Sequence, residues 1–236
     1  MVTTVHFKII SVNARMKLTT SQKQFIDGAL VNREQVENSS IIWTQDPSLF
    51  PILVWNPLSS SKASLNCPEH EEQTLVDTGT WNYMEEFRGV RLLYHIGQNV
   101  LLISALYMCK LCGKRKAYLA HHKDVLAQLP EESVPPFHLF AISGVTLAAY
   151  DAIISGTISG TSFMEIHNFF ERNHGFHIGR YGRDDSITRQ KHDSPSGNLC
   201  HDIFIYDFNR KLPMYESKMK EVVPQDICFD HTFRTR

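Results

Sequence analysis

Two runs of apolar residues, Val90 to Ile96 and Val100 to Tyr107, stand on either side of Gly97-Gln98-Asn99. β-prone runs around a turn signal predict a β-hairpin. Further along, the spacing becomes helical. Val145, Leu147, Ala148, Ala149, Ile153 and Ile154 recur at mostly helical intervals across 144–154, with Ser155-Gly156 and Ser159-Gly160 expected to break the run. A second helix places Phe163, Ile166, Phe169 and Phe170 on one face. Thr161 or Ser162 is its expected cap, and Glu165 is placed to reach back from the first turn.

Weaker patterns fill in the rest. Lys17 to Val31 predicts a helix capped around Thr19 to Ser21, and Asp124 to Leu129 a short helix ended by Pro130. Phe137, Leu139, Phe140 and Ile142 form one apolar patch at the start of a new unit. Phe176 to Asn198, rich in Gly, Arg, Asp, Ser and His, reads as an exposed basic loop or connector, followed by helices over 199–208 and 213–222. An aromatic and proline group, Trp43, Phe50, Pro51, Trp55 and Pro57, is expected to cover neighbouring structure as packing.

Candidate chemistry sits on either side of the hairpin. Cys67-Pro68-Glu69-His70 precedes it as a C-x2-H pair, and Cys109-Lys110-Leu111-Cys112 closes it as a C-x2-C pair. Two soft ligands separated by two residues let one tight turn aim both side chains at a tetrahedral zinc ion, and four such groups complete a closed structural site. Cys67, His70, Cys109 and Cys112 are therefore the expected ligands of a structural zinc, with His121 or His122 as substitutes for His70. His70-Glu71-Glu72 with the later C-x2-C also traces the outline of a zinc nucleobase deaminase. That signature wants Pro before the first Cys of the pair, where Met108 stands, and Cys67 would close the position that an activated water requires.

Composition narrows the classes. The chain has 236 residues, 42% of them hydrophobic, and a net charge of −1, which is a globular composition without an excess of either sign. No apolar run approaches the length of a bilayer span, and 1–10 lacks a signal-peptide pattern, so no membrane partner is expected. Five cysteines, with two pairs at metal spacing, favour a reducing intracellular compartment over a disulfide scaffold. Any nucleic-acid contact must therefore come from local charge. Lys114, Arg115 and Lys116 follow Cys112 after Gly113, where phosphate contacts are commonly placed. The two helices joined by a glycine-containing turn, preceded by a short third one, are similar to a helix-turn-helix unit. Asn168 and Arg172 lie on its polar side, and Arg180 and Arg183 lie in the basic stretch beyond.

The order of motifs carries a resemblance. C-P-x-H, a hairpin, Y-x-C-x2-C, L-x-Q-L-P at Leu126 to Pro130, the G-V-T and S-F-x-E-I-H helices, and F-D-H-T-F at Phe229 to Phe233 resemble the front of transposase-derived proteins of the Kyakuja-Dileera-Zisupton type. The resemblance covers most of the chain from Trp55 onward. It implies a nuclear protein that binds double-stranded DNA, with self-association into a homo-oligomer a further expectation. It also implies that Asp230 is the first metal-binding carboxylate of an RNase H-like core truncated at its first strand, inert as given, with magnesium needed only by a complete core. His70 stands where many relatives are expected to have Cys.

The expected architecture is α+β, a zinc-ribbon-like β-hairpin module followed by a helix-turn-helix-like helical unit. Its segments are an N-terminal arm and aromatic cover (1–60), the zinc module (61–130), the helical unit (131–175), a basic loop with linker helices (176–225) and the first core strand (226–236). The competing class is a zinc-stabilised protein-interaction module that does not bind DNA.

Overall fold

The elements in chain order are α1 (Thr20–Val31), β1 (Ile41–Ile42), β2 (Ile52–Trp55), α2 (Pro57–Ser60), β3 (Val76–Trp81), a 3-10 turn (Asn82–Met84), β4 (Arg91–Tyr94), β5 (Val100–Met108), β6 (Ala117–Leu119), α3 (Lys123–Leu126), β7 (Phe137–Leu139), β8 (Gly144–Thr146), α4 (Leu147–Ile158), α5 (Phe163–Tyr181) and α6 (Gly197–Glu221). This computed structural model describes residues 18–31, 41–46, 48–60, 64–70, 72, 74–84, 90–112, 117–130, 133, 135–140, 143–181 and 193–221, without the side chains of 60, 175–181 and 219–221.

The fold is mixed α+β, and β5 is its axis. Its apolar run is buried on both faces, as expected of a strand covered on both sides. The first half of β5 pairs with β2 in parallel and with β4 antiparallel, and the second half with β3 and β6, both antiparallel. The predicted β4–β5 hairpin is present. β4 also pairs in parallel with β8, and β7 joins β8, so the sheet runs across the position 130/131.

Asn82 stands in for strand pairing beside β5. Its side-chain amide donates to Leu102 O at 3.0 Å and its Oδ1 accepts from Ser104 N at 3.0 Å, both deep in the core. The irregularity in the β3–β5 register between Asp77 and Trp81 includes Gly79, whose φ of 71° favours a residue without Cβ.

Two apolar clusters result. One gathers α1, the long strand and its neighbours around Ile26, Trp55, Leu101, Ile103 and Tyr107. The other holds α4, α5 and α6 together through Ala149, Ile153, Ile166, Phe170, Cys200 and Ile203. α1 is capped by Thr19, whose Oγ1 accepts from Gln22 N, and Gln22 then bonds both the N–H and the C=O of Phe50. The turn between α4 and α5 is a Schellman motif. Thr161 N donates to Gly156 O and Gly160 N to Thr157 O, with Gly160 at φ 81°. Ser162 and Glu165 then form the expected capping box, with Ser162 N donating to Glu165 Oε2 and Glu165 N to Ser162 Oγ.

Several elements differ from the periodic reading. Gly144 to Thr146 is a strand, and α4 begins only at Leu147, capped by Thr146 Oγ1. Gly144 is wedged against Leu93 and the backbone of His138, so sheet pairing decides the local conformation. Phe137 to Leu139 is likewise a strand. Ser155-Gly156 does not interrupt α4, whose end comes at Ser159 and Gly160. α5 continues to Tyr181, taking in the first residues of the expected basic loop. The two expected C-terminal helices are one, with Pro213 inside it. Trp55 is no cover but part of the central sheet, where its Nε1 donates to Ala120 O at 3.1 Å.

Candidate metal centre

The second ligand pair lies in the connection between β5 and β6, immediately after Met108. Strand pairing of Tyr107 with Tyr118 and of Met108 with Ala117 brings the two ends of this connection together. The first pair lies in a loop closed on itself by Leu75 N donating to Leu65 O at 2.7 Å and by an antiparallel bridge between Asn66 and Thr74. His70 N donates to Cys67 O at 3.2 Å, the tight turn that a C-x2-H spacing requires.

The two turns meet. The ligand atoms of Cys67, His70, Cys109 and Cys112 all lie within 4.8 Å of one another, close enough to hold a metal ion. Cys67 Sγ is 3.6 Å from Cys112 Sγ, and His70 Nδ1 is 3.7 Å from Cys67 Sγ, 3.7 Å from Cys109 Sγ and 3.3 Å from Cys112 Sγ. A tetrahedron with metal–sulfur bonds of about 2.3 Å and a metal–nitrogen bond of about 2.0 Å has edges of roughly 3.5 to 3.8 Å. Three of these four separations fall in that range, and the fourth, His70 to Cys112 at 3.3 Å, is slightly shorter. Cys67 and Cys109 are buried, while His70 and Cys112 form the partly exposed side.

Neighbouring groups orient the sulfurs. Cys67 Sγ donates to the hydroxyl oxygen of Tyr118 on β6 at 3.7 Å, and that oxygen lies 4.0 Å from Cys112 Sγ. Burial pushes the Cys67 thiol up, but hydrogen bonds with Tyr118 and His70 outweigh it and bring the group down to about 7. Burial pushes Cys112 up to about 11, and its contact with Cys67 adds to the rise. Cys67 thus ionises before Cys112.

His121 and His122 do not belong to the group. His121 is buried beyond β6 with no partner for Nδ1 among the described residues, and His122 caps α3 by accepting from Asp124 N. One supporting residue was not singled out as part of the site from sequence. Gln128 bonds both backbone groups of Asn66, next to the first ligand, and its only advance signal was its place in the L-x-Q-L-P motif.

Asn168 and Arg172 are exposed on α5, with Arg172 Nε donating to Asn168 O at 3.2 Å. They are not brought near the cysteines by any described contact. Arg180 falls on α5 but its side chain is outside the description, and Lys114, Arg115, Lys116, Arg183 and Asp230 lie outside the described residues. Comparison with protein-family models, with curated proteins and with solved structures finds no match to this chain. Among the described residues no helix is long and apolar enough to cross a membrane.

Proposed function

We propose that the chain is a zinc-stabilised DNA-binding protein, the recognition part of a transposase-like protein of the Kyakuja-Dileera-Zisupton type. The observation that carries the reading is the convergence of three thiols and one imidazole within 4.8 Å of one another. Soft sulfur with nitrogen in that geometry suits zinc and is a poor set for magnesium or calcium. Four protein atoms fill the shell, so the ion's role is to hold the two turns together. A nucleobase deaminase needs one open position for its hydroxide, and Cys67 takes it.

Three features support a DNA partner. A basic run, Lys114 to Lys116, begins two residues after Cys112 in the sequence. The α4–α5 pair has a glycine turn and a capping box, which we read as a helix-turn-helix, and Asn168 and Arg172 are exposed on its second helix. The nuclear location and the role of Asp230 rest on the family resemblance alone. An Asp230 carboxylate would serve strand cleavage only together with further core carboxylates.

Binding of double-stranded DNA to the zinc-loaded protein, titrated between about 50 and 200 mM salt, tests the reading. Affinity should fall steeply with salt. Replacing Lys114, Arg115 and Lys116 together by Ala should flatten the logarithmic slope by about 2 to 3. A folded, zinc-loaded protein with no affinity for duplex DNA at the low-salt end would exclude DNA binding. That outcome would favour a zinc-stabilised protein-interaction module, for which Leu111, 64% exposed between two ligands, offers an apolar contact.

A further inference from the structure

α6 carries two apolar faces. Cys200, Ile203 and Asp207 point into the helical cluster, where Asp207 accepts from the Tyr150 hydroxyl and from Lys211 Nζ, the latter at 2.8 Å. A separate stripe runs through Ile205, Phe208, Leu212 and Tyr215 at intervals of 3, 4 and 3 residues. At about 100° per residue this stripe lies roughly 130° round the helix from the inward face. Ile205, Phe208 and Tyr215 are 38%, 44% and 42% exposed, and Leu212 is half-buried.

The second half of α6 reaches past the body of the protein, since residues 213–218 are all exposed. Isolated helical segments of a few turns are marginal in water, and Pro213 removes one backbone hydrogen bond from this one. A covering partner along the stripe would supply the missing stability.

We propose that this stripe is the seam of a parallel, in-register, two-helix contact with a second copy of the same chain. A seam of period 3.5 is narrower than the face by which a helix packs on a globular body, and an identical seam complements it. With Ile205 and Leu212 at the a positions and Phe208 and Tyr215 at d, the flanking g and e positions hold Lys211 and Glu216. In a parallel pair Lys211 faces Glu216 of the partner subunit, twice by symmetry. An antiparallel pair would set each charge against its own kind. The contact of Lys211 with Asp207 uses one of three ammonium donors, leaving others for this pair. Four seam residues per chain make a small interface, so the dimer is weak and exchanges with monomer.

Sedimentation equilibrium of the full chain with its zinc bound and without DNA tests the proposal independently of nucleic-acid binding. The expected result is a monomer–dimer equilibrium with Kd on the order of 10 μM. Tyr215→Glu should raise Kd at least about tenfold, and Glu216→Lys should raise it as well. Both sites lie on the overhanging half of α6, so circular dichroism should show the body intact. An equimolar mixture of the Glu216→Lys and Lys211→Glu chains should associate better than either alone. A chain that stays monomeric up to about 100 μM, or a dimer untouched by Tyr215→Glu, would overturn the seam. A dimer strengthened or unchanged by Glu216→Lys would overturn the parallel arrangement.

Discussion

Gln128 grips Asn66 by both of its backbone groups: its amide donates to Asn66 O at 3.0 Å while its Oε1 accepts from Asn66 N at 2.7 Å. Asn66 immediately precedes Cys67, so the segment that follows α3 holds one of the two turns of the candidate metal centre in place. Gln128→Ala leaves all four ligands in place and frees that turn. Outer supports of this kind are typically worth ten- to hundredfold in metal affinity. Because these bonds are exposed, the expected loss is at the lower end, about tenfold, read by competition with a chromophoric chelator. An unchanged affinity would mean that Leu65, Thr74 and Leu75 hold the turn unaided.

Tyr118 acts on the sulfurs themselves. The Cys67 thiol donates to its hydroxyl, and once the sulfur ionises the same hydroxyl can turn to donate back, stabilising the thiolate that binds metal. Tyr118→Phe should move the Cys67 thiol upward from about 7 in the metal-free protein, visible as a shifted pH profile of alkylation. Zinc affinity should drop by about tenfold at neutral pH with the fold retained. If neither quantity changes, the ring serves packing alone.

The cluster of Cys67, His70, Cys109 and Cys112 could be read from the sequence because metal chemistry favours short spacings, and each C-x2 pair is a local fact. The same holds for Ser162 with Glu165, for Gly160 and for the β4–β5 turn, where one or two residues decide the conformation. What escaped was set at long range. Ile52 to Trp55 forms a central strand because Leu101 to Ser104 pairs with it, and a short apolar run has no period to announce that. Gly144 to Thr146 looked helical because its residues continue the spacing of α4, yet β4 and β7 claim them. The helices expected over 199–208 and 213–222 run together through Pro213, an interior position that usually ends a helix, on a stretch where 213–218 are all exposed.

Gly144 marks the joint where β7 and β8 attach to the rest of the sheet. A Cβ there would lie 2.6 Å from Leu93 Cδ2, 2.8 Å from the His138 carbonyl oxygen and 2.9 Å from Leu139 Cδ2. Leu93 and Leu139 can rotate away, but the His138 oxygen belongs to the paired strand and cannot yield without breaking register. Gly144→Ala should therefore destabilise the protein by about 1 to 3 kcal/mol, the usual cost of overpacking, and lower Tm by several degrees. A variant with wild-type urea midpoint would show that the β7–β8 strand pair shifts freely.

His121 predicts a pH dependence separate from that of the metal ligands. Burial drives its pKa down to about 3, and the charges of Arg91 and His122 push the same way, so the ring is neutral in the folded protein across the physiological range. In the unfolded chain it titrates near its ordinary value of about 6.5. Above that pH neither state binds a proton and the stability is fully present. As the pH falls below about 6.5, the unfolded state takes up a proton that the folded state refuses, and stability declines by about 1.4 kcal/mol per pH unit until the folded pKa is reached. Loss of metal in acid adds a decline of its own, but that contribution is common to the wild type and to a variant altered only here. His121→Phe keeps a flat ring in a site where Nδ1 has no partner among the described residues. Its unfolding free energy should therefore fall less steeply than that of the wild type between about pH 6.5 and pH 4.5, by nearly the full slope due to one proton. Parallel slopes for the two proteins, measured by urea melts at fixed zinc, would show that the ring ionises in place without opposing the fold.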